Sequence, residues 1–210
     1  MTGVVANTAV KDLVVLAADS NMEFAVRGIL SRAASLHIRS TTFDVLVHPE
    51  RDPGCLRRGA ALLSPLTARY RHALVMFDLE GCGREAQGRE ELERRVEDDL
   101  AVHWTAERCA AVVIEPELEN WVWSDSPHVE TNLGWEQGTL FAKLRADGVL
   151  VAGGSKPARP KESMEWALRE RRKQRSSKTY ERIAGAVSLT RCIDPSFLKL
   201  KGTLQRWFAP

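Results

Sequence analysis

Residues 72–83 of this 210-residue chain read His72-Ala-Leu-Val-Met-Phe-Asp78-Leu-Glu80-Gly81-Cys-Gly83, and they indicate the fold that we expect. The stretch is a short apolar run that ends in two carboxylates and two glycines. An apolar run of this length, closed by such a break, is typical of a strand buried on both faces of a parallel sheet. Asp78 and Glu80 would then stand at the carboxyl edge, where open α/β sheets bind ligands. Asp and Gly are also frequent in ordinary turns, so the stretch alone leaves both interpretations open.

Three further runs have the composition of strands, at residues 12–19, 41–48 and 109–114. Segments with apolar residues at helical spacing follow or separate them, at residues 20–33, 56–70 and 87–104. Strands that alternate with helices predict a doubly wound parallel sheet with right-handed crossovers. We therefore expect an α/β fold, with a Rossmann-like parallel sheet of about four strands flanked by helices.

The last third of the chain has a different composition. A turn-rich passage covers residues 151–157, a basic helix-forming stretch covers 160–175, and Ile193-Asp-Pro-Ser-Phe197 opens a last helix. We predict two parts: an α/β domain at residues 1–150, and a mainly helical C-terminal extension at 151–210 that packs on it.

Local sequence signals give more detailed expectations around the first two strands. Ser20 is expected to cap the first helix and to form a capping box with Glu23, which explains Glu23 without a metal. After the second strand, residues 49–54 have the composition of a turn, and His48 is expected at the rim of that loop.

The predicted helix at residues 87–104 carries a dense run of charge. We expect this run to form a solvated face. Glu97, Asp98 and Asp99 are poor metal ligands, because neighbours one and two apart on a helix point in different directions.

Composition narrows the classes of protein that fit. The chain has 30 Lys and Arg against 28 Asp and Glu, so its overall charge does not indicate a nucleic-acid binder. Its four cysteines include no Cys-x-x-Cys pair, which argues against a zinc ribbon or a disulfide framework. The N-terminus lacks the features of a secretory signal, and no apolar span is long enough to cross a membrane. We expect a soluble, cytoplasmic protein with no membrane partner.

Acidic residues follow three of the predicted strands: Asp19, the pair Asp78 and Glu80, and a cluster from Glu115 to Glu119. Because the carboxyl ends of parallel strands share one edge of a sheet, we expect these acids to converge. Carboxylates at close range need a cation to remain ionised, and their oxygens suit Mg²⁺ or Mn²⁺. The sequence therefore predicts a divalent-metal site suited to phosphoryl transfer.

Several short motifs together resemble a known family. The motifs are Asp19-Ser-Asn-Met-Glu23, Asp78-Leu-Glu80-Gly81, Glu117-Leu-Glu119-Asn-Trp121-Val-Trp-Ser-Asp125, Pro160-Lys161, Tyr180 with Gly185, and Ile193-Asp-Pro-Ser-Phe197. They resemble the Toprim (topoisomerase–primase) fold, and more closely a bacterial Toprim-like family of unknown function. Several members of that family are associated with antiphage defence loci. The resemblance extends over most of the chain and implies a Toprim-like α/β domain.

The resemblance also implies roles for individual residues. Toprim proteins use a Glu after the first strand as a general acid or base, and that position falls on Asp19. Their Asp-x-Asp metal motif falls on Asp78 and Glu80. The first acid is therefore shorter than the family's and the last one longer, so the reach of each ligand changes although its charge does not. These departures leave a binding-only descendant open.

We assign the candidate site in three groups. The catalytic residues are Asp19, Glu23 and Glu119; the metal ligands are Asp78, Glu80 and Glu117; the substrate-binding residues are Lys161, Tyr180 and Arg172. The basic residues near Arg172 suit phosphate contacts, and they suit a solvated helix face as well.

These expectations favour a Toprim-like, divalent-metal-dependent phosphotransfer enzyme, a nuclease acting in bacterial antiphage defence. Nucleic acid and other proteins of the defence system are its candidate partners. One alternative is a catalytically inactive Toprim-like module that binds nucleic acid or a partner protein. Another is an aspartyl-phosphate phosphatase-like enzyme in which Asp78 attacks phosphorus.

Overall fold

A four-stranded, all-parallel sheet forms the centre of the computed structural model, which describes residues 9–124, 126–150, 154 and 156–210. The strands are β1 Lys11–Ala17, β2 Phe43–Val47, β3 Tyr70–Asp78 and β4 Cys109–Ile114, in the order β2-β1-β3-β4. The predicted α/β fold is therefore confirmed. Residues 72–78 lie in β3, one of the two inner strands of the sheet, and Ala73 to Phe77 are wholly buried in it.

Helices cover both faces of this sheet and form the C-terminal region. They are α1 Ser20–Leu30, α2 Ala33–Leu36, α3 Arg51–Leu63, α4 Arg89–Trp104, α5 Glu119–Val122, α6 Pro127–Leu133, α7 Thr139–Ala146, α8 Pro160–Glu170, α9 Ser177–Ala186 and α10 Pro195–Trp207. Within the described residues, no helix is long and apolar enough to cross a bilayer.

Helices of the C-terminal region pack directly on the α/β layers. α9 lies against α1, where a Cβ on Gly28 would come within 2.9 Å of the Ala184 Cβ, so the small residue permits the close approach. α10 lies against β4 and α2, and its N-cap Asp194 accepts hydrogen bonds from the Ser196 and Phe197 amides. The predicted boundary between the two parts falls at residue 151, which lies outside the described residues, as does Asp125 of the sequence motif.

The first helix begins differently from the sequence expectation. Asp19, rather than Ser20, is the N-cap, and its Oδ1 accepts a hydrogen bond of 2.9 Å from the Met22 amide. Asp ranks beside Ser as an N-cap residue, and the strand ends early enough to leave Asp19 extended. The capping box expected from Ser20 and Glu23 is therefore wrong, and the Glu23 carboxylate instead accepts hydrogen bonds from Arg27.

The loop after β2 is shorter than expected, because α3 begins at Arg51 within the predicted turn. Pro53 suits a first helical turn, since its missing N–H has no intrahelical partner there. Gly54 leaves room for the His48 ring, which a Cβ at this position would overlap. His48 itself is buried, with 3% of its surface exposed, so its expected place at the loop rim is wrong.

The edge strand β4 is covered by two glutamates of α4. Glu93 Oε1 accepts a hydrogen bond of 3.0 Å from the Val113 amide, and Glu97 Oε1 accepts one of 3.0 Å from the Ala111 amide. Lys199 Nζ of α10 lies 3.2 Å from Glu93 Oε2 and 2.7 Å from Glu97 Oε1. The charge run of α4 is therefore only partly solvated, and part of it blocks the strand edge against pairing with another chain.

Candidate functional site

A cavity of about 280 Å³ lies at the carboxyl edge of the sheet, and we call it the acidic cavity. Its acidic lining residues are Asp19, Asp52, Asp78, Glu80, Glu117 and Glu119. Asp78 ends β3, and the other five acids follow the ends of the four strands, because parallel strands bring their carboxyl ends to one edge. Of the acids expected to converge, Asp19, Asp78, Glu80, Glu117 and Glu119 line this cavity, whereas Glu115 is exposed outside the lining.

Asp78, the last residue of β3, has the most unusual environment of these acids. Its Oδ1 is buried and has no hydrogen-bond partner among the described residues. Burial raises the pKa of the Asp78 carboxyl well above its ordinary value, and the negative charges of Asp52, Glu119, Asp19 and Glu117 raise this pKa further. A buried carboxylate without a donor is costly, so this oxygen needs either a proton or a cation.

Asp52 is an acidic lining residue that sequence reasoning missed. It stands in the first turn of α3, and its Oδ1 accepts a hydrogen bond of 2.8 Å from the Asp78 amide. Burial raises the pKa of Asp52, although the Asp78 amide opposes the shift. Asp52 follows the second strand, and an acid in that position predicts a place at the carboxyl edge of the sheet. It was missed because residues 49–54 have the composition of a turn.

Glu117 lies in the loop after β4 and is held by the start of α8. Its Oε1 accepts a hydrogen bond of 2.9 Å from the Lys161 amide, and its Oε2 lies 3.7 Å from Lys161 Nζ. Burial, together with the negative charge of Glu119, raises the pKa of Glu117 to about 7. Glu117 therefore changes its charge close to neutral pH.

Glu119, at the start of α5, has the opposite environment to Asp78. Its Oε1 accepts hydrogen bonds from both the Tyr180 hydroxyl and Arg175 Nη2. Arg175 Nε also donates to the Tyr180 oxygen at 2.7 Å, and its Nη1 donates to Glu165 at 3.0 Å. Burial and the neighbouring Glu119 raise the pKa of Tyr180, so its hydroxyl keeps its proton and remains a donor. These contacts hold the Glu119 carboxylate in one orientation with its charge compensated.

Three cationic side chains share the lining: Arg51, Lys161 and Arg175. Lys161 and Arg175 are engaged with Glu117 and Glu119 as described. Arg51 is exposed, and its guanidinium has no ion pair or hydrogen bond to any residue that the structure describes. Among the residues that the structure describes, Arg51 is thus the cation of this lining without a partner in the protein.

Three residues of the sequence assignment lie away from the acidic lining. The Glu23 carboxylate is paired with Arg27, at 3.0 Å from Nε and 2.9 Å from Nη2. Arg172 is exposed just after α8, with φ of 51°. Tyr180 reaches the site only through its hydroxyl, since its ring lines a larger, apolar cavity of about 710 Å³. The roles assigned to these residues stay predictions.

The donor atoms of the acidic cavity suit a hard cation. All of the acidic lining groups are carboxylates, and carboxylate oxygens favour Mg²⁺ or Mn²⁺. Within the described residues, no group of three or more His, Cys, Asp or Glu side chains closes around one point as a preformed metal centre. Asp78 Oδ1 nevertheless fits a cation, because it is a buried acceptor to which no described residue donates a hydrogen bond.

Comparisons with models of protein families, with curated proteins and with solved structures give no match to this chain. The Toprim resemblance therefore stays a prediction that rests on the quoted motifs.

Proposed function

We propose that this protein is a divalent-metal-dependent phosphotransfer enzyme that works at the acidic cavity. The observation that carries the proposal is the buried Oδ1 of Asp78, which has no hydrogen-bond partner in the described part of the chain and lies among five other lining carboxylates. Such a cluster is stable with its charges only when a cation is bound. The further step to a nuclease in bacterial antiphage defence rests on the Toprim resemblance alone.

Asp78 is the first metal ligand in this proposal, with Glu80 and Glu117 as the other ligands expected from the sequence. Asp52 joins them, because its carboxylate also faces the cavity and is held by the Asp78 amide. A bound Mg²⁺ would supply an activated water and stabilise the leaving oxygen.

The remaining residues position groups and move protons. Asp19 Oδ1 accepts a hydrogen bond from the Met22 amide, so Asp19 would take up or release a proton at Oδ2. Glu119 is fixed by Tyr180 and Arg175, which gives the site a carboxylate of constant orientation. Lys161 supplies positive charge at the rim, where an anionic substrate must pass the carboxylates.

Binding of Mg²⁺ by calorimetry tests this proposal. The wild-type protein should bind Mg²⁺ or Mn²⁺, and Asp78→Asn should weaken binding by about tenfold or more, because it removes a charged ligand. Asp98→Asn is a matched control, since Asp98 is exposed on α4 and does not line the acidic cavity. The control should bind the ion as the wild type does. Absence of binding at millimolar ion, or equal binding by Asp78→Asn, would contradict the proposal.

A non-catalytic nucleic-acid-binding module is the second candidate. The feature that favours it is the pair Asp19 and Glu80, whose side-chain lengths depart from the Toprim pattern that the sequence resembles. Hydrolysis of single-stranded DNA and RNA with Mg²⁺ separates the two functions. The enzyme predicts cleavage that Asp78→Asn abolishes; the binding module predicts retention of the same nucleic acid by both proteins without cleavage.

A further inference from the structure

We propose that Arg51 is the phosphate-binding residue of the acidic cavity, and that it selects substrates that present a phosphate group. This inference rests on the proposed function, because it assigns the substrate side of the same site. Sequence reasoning placed the substrate contacts on Lys161, Tyr180 and Arg172, and it treated Arg51 as part of a turn.

The backbone around Arg51 is held in a fixed conformation. The His48 amide donates to the Ala17 carbonyl at 2.9 Å, and the Arg51 amide donates to the His48 carbonyl at 3.1 Å. His48 is buried, and its Nδ1 accepts a hydrogen bond of 3.0 Å from the Glu50 amide. The loop between β2 and α3 therefore places Arg51 at one position relative to the end of β1.

Arg51 occupies a left-handed backbone conformation, with φ of 52°. Glycine adopts this conformation without steric cost, whereas arginine is disfavoured there. His37, Thr105 and Arg172 also have positive φ, so the conformation alone does not mark a site. Among these four residues only Arg51 lines the acidic cavity, where strained positions commonly serve function.

The charge of Arg51 is available to a ligand. The neighbouring cations Lys161 and Arg175 are engaged with Glu117 and Glu119, while the Arg51 guanidinium contacts no acid among the described residues. A guanidinium presents a planar fork of donors that matches two oxygens of a phosphate. Arg51 is therefore the cationic group of this cavity best suited to a substrate phosphate.

The unpartnered Asp78 Oδ1 is an independent sign that a ligand belongs in the same cavity. A cation held at Asp78 and the guanidinium of Arg51 would both direct positive charge at a bound phosphate. Positive groups of this kind stabilise the charge on a transferring phosphoryl group.

Titration with inorganic phosphate, with and without Mg²⁺, tests the role of Arg51 by calorimetry. With Mg²⁺ present, Arg51→Ala should weaken phosphate binding by about tenfold or more, and Arg51→Lys should restore part of it. Arg57→Ala is a matched control, because Arg57 is exposed on the same helix without an ion pair to the described residues. The control should bind phosphate as the wild type does.

Two outcomes would overturn the assignment: equal phosphate binding by Arg51→Ala and the wild type, or equal loss in Arg57→Ala. Titration with Mg²⁺ alone distinguishes this failure from failure of the proposed function. Arg51→Ala should bind Mg²⁺ at least as tightly as the wild type, because the substitution removes a positive charge from the cavity. A protein that binds Mg²⁺ but shows no dependence of phosphate binding on Arg51 therefore contradicts only the assignment.

Arg51→Gly separates binding from folding. Since glycine is unstrained at positive φ, this variant should unfold at the wild-type temperature or above it, while phosphate binding falls. A purely structural Arg51 side chain would instead lower the unfolding temperature in both the alanine and the glycine variants.

Discussion

Asp78 and Glu119 are carboxylates that line one cavity with contrasting hydrogen-bond environments. Asp78 Oδ1 has no donor among the described residues, while Glu119 Oε1 has two, from Tyr180 and Arg175. Pairs of acids with such unlike environments commonly take different roles in a site. At the scale of single residues, Asp78 is thus suited to a cation, and Glu119 is suited to a fixed position beside it.

Removal of the Tyr180 hydroxyl tests the fixed position of Glu119. Tyr180→Phe should lower the free energy of unfolding by about 2 kcal/mol, because a buried carboxylate loses a donor. It should also reduce metal-dependent hydrolysis by about tenfold or more, since the orienting contact is lost. Urea unfolding and single-turnover hydrolysis measure the two effects.

Tyr70→Phe is the control for this substitution. The Tyr70 hydroxyl donates to Asp44 at 2.5 Å, so the variant also loses a bond to a carboxylate, but at the opposite edge of the sheet. Its stability should fall while hydrolysis is unchanged. A loss of hydrolysis in Tyr70→Phe equal to that in Tyr180→Phe would contradict a specific role for Tyr180.

Part of the acidic lining could be predicted at this scale, and part could not. Asp19, Asp78 and Glu119 follow apolar runs, and the rule that parallel strands end at one edge was enough to bring them together. Arg51 and Asp52 were hidden, because the composition of residues 49–54 favours a turn and hides a helix start. The contact of Arg175 with Glu119 joins residues 56 apart in the chain, and no local pattern indicates it.

At the scale of elements, α4 shows what a charged helix does beside a strand edge. Glu93 is buried, with 3% of its surface exposed, and its Oε1 accepts a hydrogen bond from the Val113 amide of β4. Arg89 Nη1 lies 2.8 Å from its Oε2, and Lys199 adds a second cation. Helical spacing predicted the extent of α4 to within two residues, but it did not show that two of its acids face the sheet.

Glu93→Ala should destabilise the protein by about 3 kcal/mol. The substitution leaves a buried amide without an acceptor and removes the partner of two cations. Chemical denaturation measures the change. Glu90→Ala is the control, because the Glu90 side chain is 85% exposed beside the same Arg89, and its loss should cost less than about 0.5 kcal/mol. Equal effects of the two substitutions would show that Glu93 does not support the strand edge.

At the scale of the whole molecule, the end of the chain packs at the edge opposite the acidic cavity. His72, near the start of β3, stacks on Trp207 with ring centroids 4.5 Å apart, and Phe208 meets it edge-on at 5.2 Å. The Phe208 carbonyl accepts a hydrogen bond of 2.9 Å from the Arg39 amide. The sequence predicted a last helix, but the place where it docks depends on tertiary contacts that no local pattern encodes.

This docking makes stability depend on pH through His72. Burial lowers the pKa of His72 to about 4 in the folded protein, and the positive charge of Arg108 adds to the shift. Arg39 and Arg71 also lower this pKa, and Asp12 opposes them. An unfolded histidine has a pKa of about 6.5 and binds its proton first. The contribution of neutral His72 to the free energy of unfolding is therefore complete above pH 6.5, and it is lost as the pH falls from 6.5 through 4.

His72→Phe should remove this contribution while it keeps an aromatic ring in the stack. Between pH 7 and pH 5, the free energy of unfolding should fall more in the wild type than in the variant. Urea unfolding at both pH values gives the comparison. Asp12 does not interfere, because Arg39 holds the pKa of its carboxyl well below the usual range. The same pH dependence in both proteins would contradict the account of His72.

The proposed function depends on a divalent cation that binds at Asp78 in the acidic cavity. Anomalous X-ray diffraction from crystals grown with Mn²⁺ tests it most directly, because the anomalous signal identifies the ion and its position. We predict an anomalous peak within the acidic cavity at bonding distance from Asp78 Oδ1. A cavity without a peak at saturating Mn²⁺, whether or not Mn²⁺ binds elsewhere on the protein, would contradict this prediction.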